Sequence, residues 1–208
     1  MAIGKFIVFE GNEGTGKSTH ISFAADYLKE KNIDCIVTRE PGGTEFGESV
    51  RDILLDSNSS LDPTSEAILF YASRIYNYNN IILKAMSDGK YVICDRFHYS
   101  TLVYQGITQD NNEVIGLHNV LDEYFSTNIS LIIHLDASVE ACYERINKRK
   151  ISDKFEKQGK EFLIKIKSAY CEIFKKNSKV VLIDTDNDKK FVQDEIKGYL
   201  DKLLNDKP

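Results

Sequence analysis

The residues best equipped for chemistry lie near the start of this 208-residue chain, in the run Gly11-Asn12-Glu13-Gly14-Thr15-Gly16-Lys17-Ser18. The spacing fits G-x-x-x-x-G-K-[ST], a loop that cradles nucleotide phosphates. Successive backbone N–H groups can curl round a phosphate there, and a helix opening near the lysine adds partial positive charge. A side chain at Gly11, Gly14 or Gly16 would obstruct that approach or the backbone angles it needs. Lys17 is then expected to reach the β- and γ-phosphate oxygens, and the Ser18 hydroxyl to ligate Mg²⁺. The flanks agree. Phe6 to Phe9 is a short apolar run suited to a buried strand, and Ile21, Ala24, Ala25 and Leu28 recur at helical spacing.

Further along, Tyr91-Val92-Ile93-Cys94 is an apolar strand closed by Asp95 and Arg96. An aspartate in that position can hold Mg²⁺ or its waters opposite a phosphate loop, and the arginine can fork onto a second phosphate. Phe70 and Arg74 stand four apart in a helical stretch and share a face. A ring beside a guanidinium suits a nucleobase; the same spacing also fits a core phenylalanine beside a solvated arginine. Thr101, Tyr104 and Gln105 could line a base pocket with hydroxyl and amide groups. Glu40 precedes a Pro-Gly-Gly turn that reads either as a close backbone approach or as a plain turn, and Arg51 alone reads as a surface charge. Residues 145–157, RINKRKISDKFEK, read as a solvated charged face or as a mobile flap whose arginines close over a transferring group. His20, His98, His118 and His134 carry no catalytic signature.

Strands are expected at 5–10, 34–38, 90–94, 130–135 and 179–183, and helices at 17–31, 45–56, 64–87, 112–126, 138–149, 156–176 and 189–204. Their alternation predicts one α/β domain over residues 1–208: a five-stranded parallel sheet flanked by helices in three layers, with ligands at the carboxyl ends of the strands. All the motifs above fall at those ends. A net charge of −5 gives no basic field for nucleic acid, and no apolar run reaches membrane-spanning length. The N-terminus enters strand and loop at once, leaving no room for a signal peptide, so a cytoplasmic protein is expected. Cys35, Cys94, Cys142 and Cys171 are scattered and read as buried small hydrophobes in a reducing compartment.

Taken together, FEGNEGTGKST (9–19), TREPGGT (38–44), Leu69 to Arg74, Asp95-Arg96-Phe97, Ser100-Thr101 and Tyr104-Gln105-Gly106 resemble the thymidylate kinases of the bacterial type, over nearly the whole chain. The resemblance implies a P-loop kinase fold with a mobile lid near 145–157, and a homodimer. It implies Mg²⁺-dependent transfer of the γ-phosphoryl group of ATP to dTMP, within dTTP biosynthesis. Phe70 would stack on thymine, Arg74 would bond its O4, and Thr101 and Gln105 would face base and sugar. Arg96 with Arg51 would hold the dTMP phosphate, Asp95 would organise the metal, and Glu13 would meet the sugar 3′-hydroxyl with Glu40 at the edge of the same pocket. Thr19 would complete the ATP-binding run. One type of the family carries a catalytic arginine inside the loop; here that position is Gly14, so the flap must supply it. Relatives often have Asp-Arg in the flap where this chain has Asp153-Lys154, and lysine cannot make the forked contact. Arg149 is therefore expected to be the flap cation, with Arg145 nearer the adenine and Lys154 a substitute.

Two rival readings remain at this level. A kinase of another small acceptor would keep the loop and the strand-end aspartate but change the acceptor groups. A non-catalytic nucleotide switch is the other; the guanine-reading Asn-Lys-x-Asp is missing, since Asn147-Lys148-Arg149-Lys150 lacks the final aspartate. In the kinase reading the nucleophile is a phosphate oxygen of dTMP, so the chemistry reduces to aligning two anions and cancelling charge, with no covalent intermediate.

Overall fold

A computed structural model describes residues 4–56, 58–148, 155 and 158–205. Five strands, β1 (Phe6–Gly11), β2 (Cys35–Arg39), β3 (Tyr91–Asp95), β4 (Ile129–Asp136) and β5 (Val180–Asp184), form one parallel sheet in the order β2-β3-β1-β4-β5. Every residue of β1 is buried, as its unbroken apolar run requires of a strand covered on both faces. The period-two alternation divides its side chains between two cores. Phe6 and Val8 join the core under α3 (Pro63–Asn77), α4 (Leu83–Ser87), α6 (Asn112–Ser126) and α8 (Gly159–Phe174). Ile7 and Phe9 join the core under α1 (Lys17–Glu30) and α9 (Lys189–Asn205). The three-layer α/β architecture is the one expected, each strand lying within a residue or so of its expected span.

Two regions depart from expectation. The expected single helix 64–87 is interrupted by a π-helical turn at Tyr78–Ile82 between α3 and α4. Such a widened turn inserts an extra residue, and it leaves Tyr78, Ile82, Ala85 and Met86 all on the core side. Tyr78 is the reason for its placement: its ring meets Phe6, Phe97 and Phe125, and its hydroxyl donates to the Tyr124 carbonyl at 3.2 Å. The second departure lies between β3 and α6, where no helix was expected. There α5 (His98–Thr101), a π-helical turn (Leu102–Gly106) and a 3₁₀ turn (Ile107–Gln109) run on without a break. Every residue from Phe97 to Gly106 is buried, so an amphipathic period is absent and packing fixes the helix. After the 3₁₀ turn Asp110 turns left-handed (φ 50°) and the Asn111 side chain caps α6 by accepting from Val114 N. All four cysteines are free; Cys94 and Cys142 are buried as expected, whereas Cys35 is half-buried and Cys171 exposed on α8.

Between β4 and α8 the described chain includes α7 (Val139–Asn147). The remaining helix, α2 (Glu45–Leu55), is capped by the Thr44 hydroxyl accepting from Gly47 N at 2.9 Å. Among the described residues α2, α3, α5, the loop that follows β1 and the carboxyl ends of β2 and β3 surround one cavity.

Candidate active site

The cavity, of about 270 Å³, is lined by Glu13, Gly14, Gly16, Lys17 and Ser18 on one side and by Glu40, Arg51, Phe70, Arg74, Thr101 and Gln105 on the other, with Asp95 and Arg96 between them. Every one of these was singled out from sequence. The phosphate loop owes its shape to its glycines. Gly11 has φ 141° and a Cβ there would meet the Leu135 carbonyl oxygen at 2.2 Å; Gly14 has φ 79° and a Cβ would meet the Cys142 oxygen at 2.6 Å. A side chain at position 14, an arginine included, would therefore collide with the backbone of α7. Inside the loop, the Lys17 ammonium donates to the carbonyls of Gly11 (3.0 Å) and Asn12 (2.8 Å). Burial and the neighbouring Arg96 charge lower its pKa, opposed by Glu13 and Asp95. Asn12 and Thr15 brace the loop from behind, through Asn12 Nδ2 to Leu163 O and Thr15 Oγ1 to Asn12 O. Thr19 is exposed and does not line the cavity.

Arg96 sits in a left-handed turn (φ 65°) as the chain leaves β3. Its Nη1 donates to Gly11 O at 2.9 Å and Ser100 Oγ at 3.1 Å, while Nη2 donates to Glu13 Oε1 at 2.5 Å and Tyr104 Oη at 3.2 Å. Glu13 thus pairs with the arginine expected to hold a phosphate. Arg51 donates to the Pro41 carbonyl at 2.9 Å, which draws it from the α2 surface to the cavity rim.

Arg74 is no solvated arginine: its side chain is 1% exposed. It pairs with Glu40, donates Nη1 to Thr101 Oγ1 at 3.0 Å, and lies over the rings of Tyr71 and Phe97. Burial pushes the Glu40 carboxyl up to about 7, with Arg74 and Asn77 pulling the other way. Gln105 donates to Glu66 at 3.2 Å. Phe70 is half-buried at the opening, its ring 6.4 Å from that of Phe155, which also lines the cavity.

Two groups suit a divalent cation. Asp95 Oδ1 is buried with no hydrogen-bond partner among the described residues, a costly state that a cation would relieve. The exposed Ser18 hydroxyl lines the same cavity. Outside the cavity, Arg145 donates to the carbonyls of Gly14 (3.2 Å) and Thr185 (3.0 Å), on the outer side of the loop. Arg149, Asp153 and Lys154 lie outside the described residues.

The thymidylate kinase family model matches residues 9–196. A thymidylate kinase of Caldicellulosiruptor saccharolyticus is 36% identical over 203 residues, covering 97% of this chain and 98% of its own length. One from Legionella pneumophila is 36% identical over 97% of this chain and 96% of its own, and one from Thermosipho africanus 35% identical over 96% and 98%. The chain belongs to the thymidylate kinase family. The resemblance drawn from the motifs is thereby borne out, and the cavity just described gathers the motif residues of a thymidylate kinase fold.

Sequence reasoning passed over several residues that build this thymidylate kinase cavity. Glu10 is fully buried and accepts four hydrogen bonds, from Phe97 N, Ser100 N, Ser100 Oγ and Tyr170 Oη. It carried the same signal as Asp95, an acid closing an apolar strand, but stood one residue before the motif. Tyr170 on α8 touches both Glu10 and Arg96, and Asn77 donates to Glu40. His98 and His118 are buried around Asp122, with His98 Nε2 2.9 Å from Asp122 Oδ1 and His118 Nδ1 3.2 Å from the Tyr71 hydroxyl. They pack behind the arginine wall and do not line the cavity.

Proposed function

We propose that this chain transfers the γ-phosphoryl group of ATP to dTMP, giving dTDP and ADP, as a step of dTTP biosynthesis. The observation that carries the reading is the meeting of two phosphate-binding cations in one cavity: Lys17 and Arg96 both donate to the carbonyl oxygen of Gly11. A monophosphate acceptor brings a second phosphate into the site, and an arginine beside the loop lysine is suited to receive it. The acceptor wall favours a pyrimidine. Phe70 offers a ring at the opening, and among the described residues the Nη2 of Arg74 makes no hydrogen bond, so it is free to donate to a base carbonyl such as O4. Thr101 and Gln105 flank the same space, and Glu13 and Glu40 border the sugar end.

In this reading Lys17 holds the donor phosphates, Arg96 and Arg51 hold the acceptor phosphate, and the loop from Gly11 to Thr19 wraps the donor. Arg145, fixed on the outer side of the loop, attends the adenine. Asp95 and Ser18 would hold Mg²⁺, which supplies charge neutralisation at the β- and γ-phosphates when bound. Residues 145–157 act as a lid that excludes water, with Arg149 or Lys154 delivering the last positive charge. The acceptor oxygen is already a nucleophile, so transfer is direct and in line.

A homodimer fits the surface. Neighbouring helices leave Phe46 and Ile53 on α2, Ile68, Ile75 and Tyr76 on α3, and Val120 and Tyr124 on α6 exposed, an apolar load that a second copy would cover. Among the described residues no helix is long and apolar enough to cross a membrane, which accords with a cytoplasmic site of action. The test is ADP production from ATP and Mg²⁺ against dTMP, dUMP, dCMP, dGMP and AMP. Turnover confined to dTMP is expected; turnover with another monophosphate would overturn the base assignment, and silence across the panel with ATP bound would return the reading to a switch.

A further inference from the structure

Arg96 is surrounded by hydroxyl groups whose orientation is decided one contact further out. Ser100 Oγ and Tyr170 Oη both lie against its Nη1, at 3.1 and 3.4 Å. Each hydroxyl owns a single hydrogen. Ser100 Oγ stands 2.6 Å from Glu10 Oε2 and Tyr170 Oη 2.8 Å from the same oxygen, so both hydrogens have a carboxylate acceptor. With the hydrogens spent there, both oxygens turn lone pairs to the guanidinium. The other carboxylate oxygen, Oε1, accepts from Phe97 N at 2.9 Å and Ser100 N at 3.2 Å, pinning the peptide that follows the left-handed turn at Arg96.

We propose that Glu10 is a positioning residue for Arg96, fixing its backbone turn through one oxygen and, through the other, the direction of the two hydroxyl dipoles that hold its guanidinium. The proposal rests on the reading of Arg96 as the group that binds the acceptor phosphate. Glu10→Gln separates the two functions. The amide oxygen best replaces Oε1, where two backbone N–H groups need an acceptor, and the amide nitrogen then faces Ser100 and Tyr170. Their hydrogens lose the carboxylate. Only one can be given to the partner hydroxyl, 2.9 Å away, and the other is turned toward the guanidinium. Donor then opposes donor.

The experiment is steady-state kinetics with dTMP and ATP varied separately, on Glu10→Gln, on Ser100→Ala with Tyr170→Phe, and on the triple variant, with Tm recorded for each. Losing a supporting contact behind a functional group costs on the order of 10–100-fold, and this loss is expected in kcat/KM for dTMP while the KM for ATP stays within about twofold of the parent. In the background lacking both hydroxyls, Glu10→Gln should add little, because the pathway it acts through is gone. An equal effect in both backgrounds, or parallel loss for ATP and dTMP, overturns the proposal. Should Glu10→Gln fail to fold, the hydroxyl pair alone decides: unchanged dTMP kinetics in Ser100→Ala with Tyr170→Phe overturns it. Arg96→Ala is the control for the underlying reading; if it leaves dTMP kinetics intact, the role of Arg96 fails and not merely that of Glu10.

Discussion

Replacing Arg74 by alanine is expected to do more than weaken acceptor binding. The guanidinium is 1% exposed and stands beside a Glu40 carboxylate that is equally buried. Removing one partner of a buried ion pair costs about 3–5 kcal/mol, because the remaining carboxyl must either stay charged and uncompensated in the interior or take up a proton to fold. In a chain of this size each kcal/mol moves Tm by about 2–4 °C, so a fall of roughly 6–20 °C follows. The cost is also pH-dependent. Burial already pushes the Glu40 carboxyl up to about 7 in the parent, with Arg74 pulling it down. Without that pull the folded pKa rises further, and a carboxyl raised above its unfolded value loses stability as pH climbs toward the folded pKa. Between pH 7 and 9 the parent should lose little at this site, whereas Arg74→Ala should lose up to about 1.4 kcal/mol per pH unit. Denaturant unfolding at pH 7, 8 and 9, on Arg74→Ala and on Arg74→Ala with Glu40→Gln, measures this. Neutralising position 40 should recover most of the loss and flatten the pH dependence. A destabilisation under about 1 kcal/mol, or one indifferent to pH, would refute the argument that the pair is held as buried opposite charges.

Further expectations follow from the loop, the flap and the histidines. Gly14→Ala should raise the KM for ATP and lower Tm well beyond Gly16→Ala. Both positions have positive φ, but only at 14 does a Cβ strike backbone, at 2.6 Å from Cys142 O; equal effects would show that φ alone governs the loop. Arg149→Ala should lower kcat on the order of 10²–10³ with little change in the KM for dTMP, and an unchanged kcat in steady-state kinetics would remove Arg149 from the reaction. Burial holds His98 near 3 and His118 and His134 near 4, below the ordinary 6.5. An unfolded chain therefore takes up protons that the folded one refuses, and stability is lost as pH falls from about 6.5 toward 4, Glu40 opposing with one proton. Net loss between pH 7 and 5 should be about 3 kcal/mol by denaturant unfolding; a flat profile would mean that these rings are solvated or charged in the folded state.

What could be read from sequence was what is local. The phosphate loop occupies consecutive residues, so its pattern and its flanking strand and helix were legible together, and Asp95-Arg96 announced itself as charge closing an apolar strand. The pairing of Arg74 with Glu40 spans 34 positions and joins two elements that meet only in the folded chain. From spacing alone, a solvated Arg74 is the preferred reading, and the structure buries it instead. The α5 stretch failed for a different reason. From Phe97 to Gly106 all sides are buried, so no stripe distinguishes helix from strand, and the wide turn is set by its neighbours. Glu10 was legible in principle by the rule that flagged Asp95, but its partners, Ser100 and Tyr170, come from 90 and 160 residues away.

The carbonyl of Gly11 accepts from Lys17 and from Arg96 at nearly equal length, 3.0 and 2.9 Å. Each cation thus takes one of its contacts from the same peptide unit, beside Asn12 O for Lys17 and Ser100, Glu13 and Tyr104 for Arg96. A displacement of the end of β1 would act on both cations through that shared oxygen, in the same direction. Such common-mode motion changes where the reaction happens without changing how far apart its two halves stand. An architecture that hung the two cations from separate strands would convert every breath of the sheet into a change of reach.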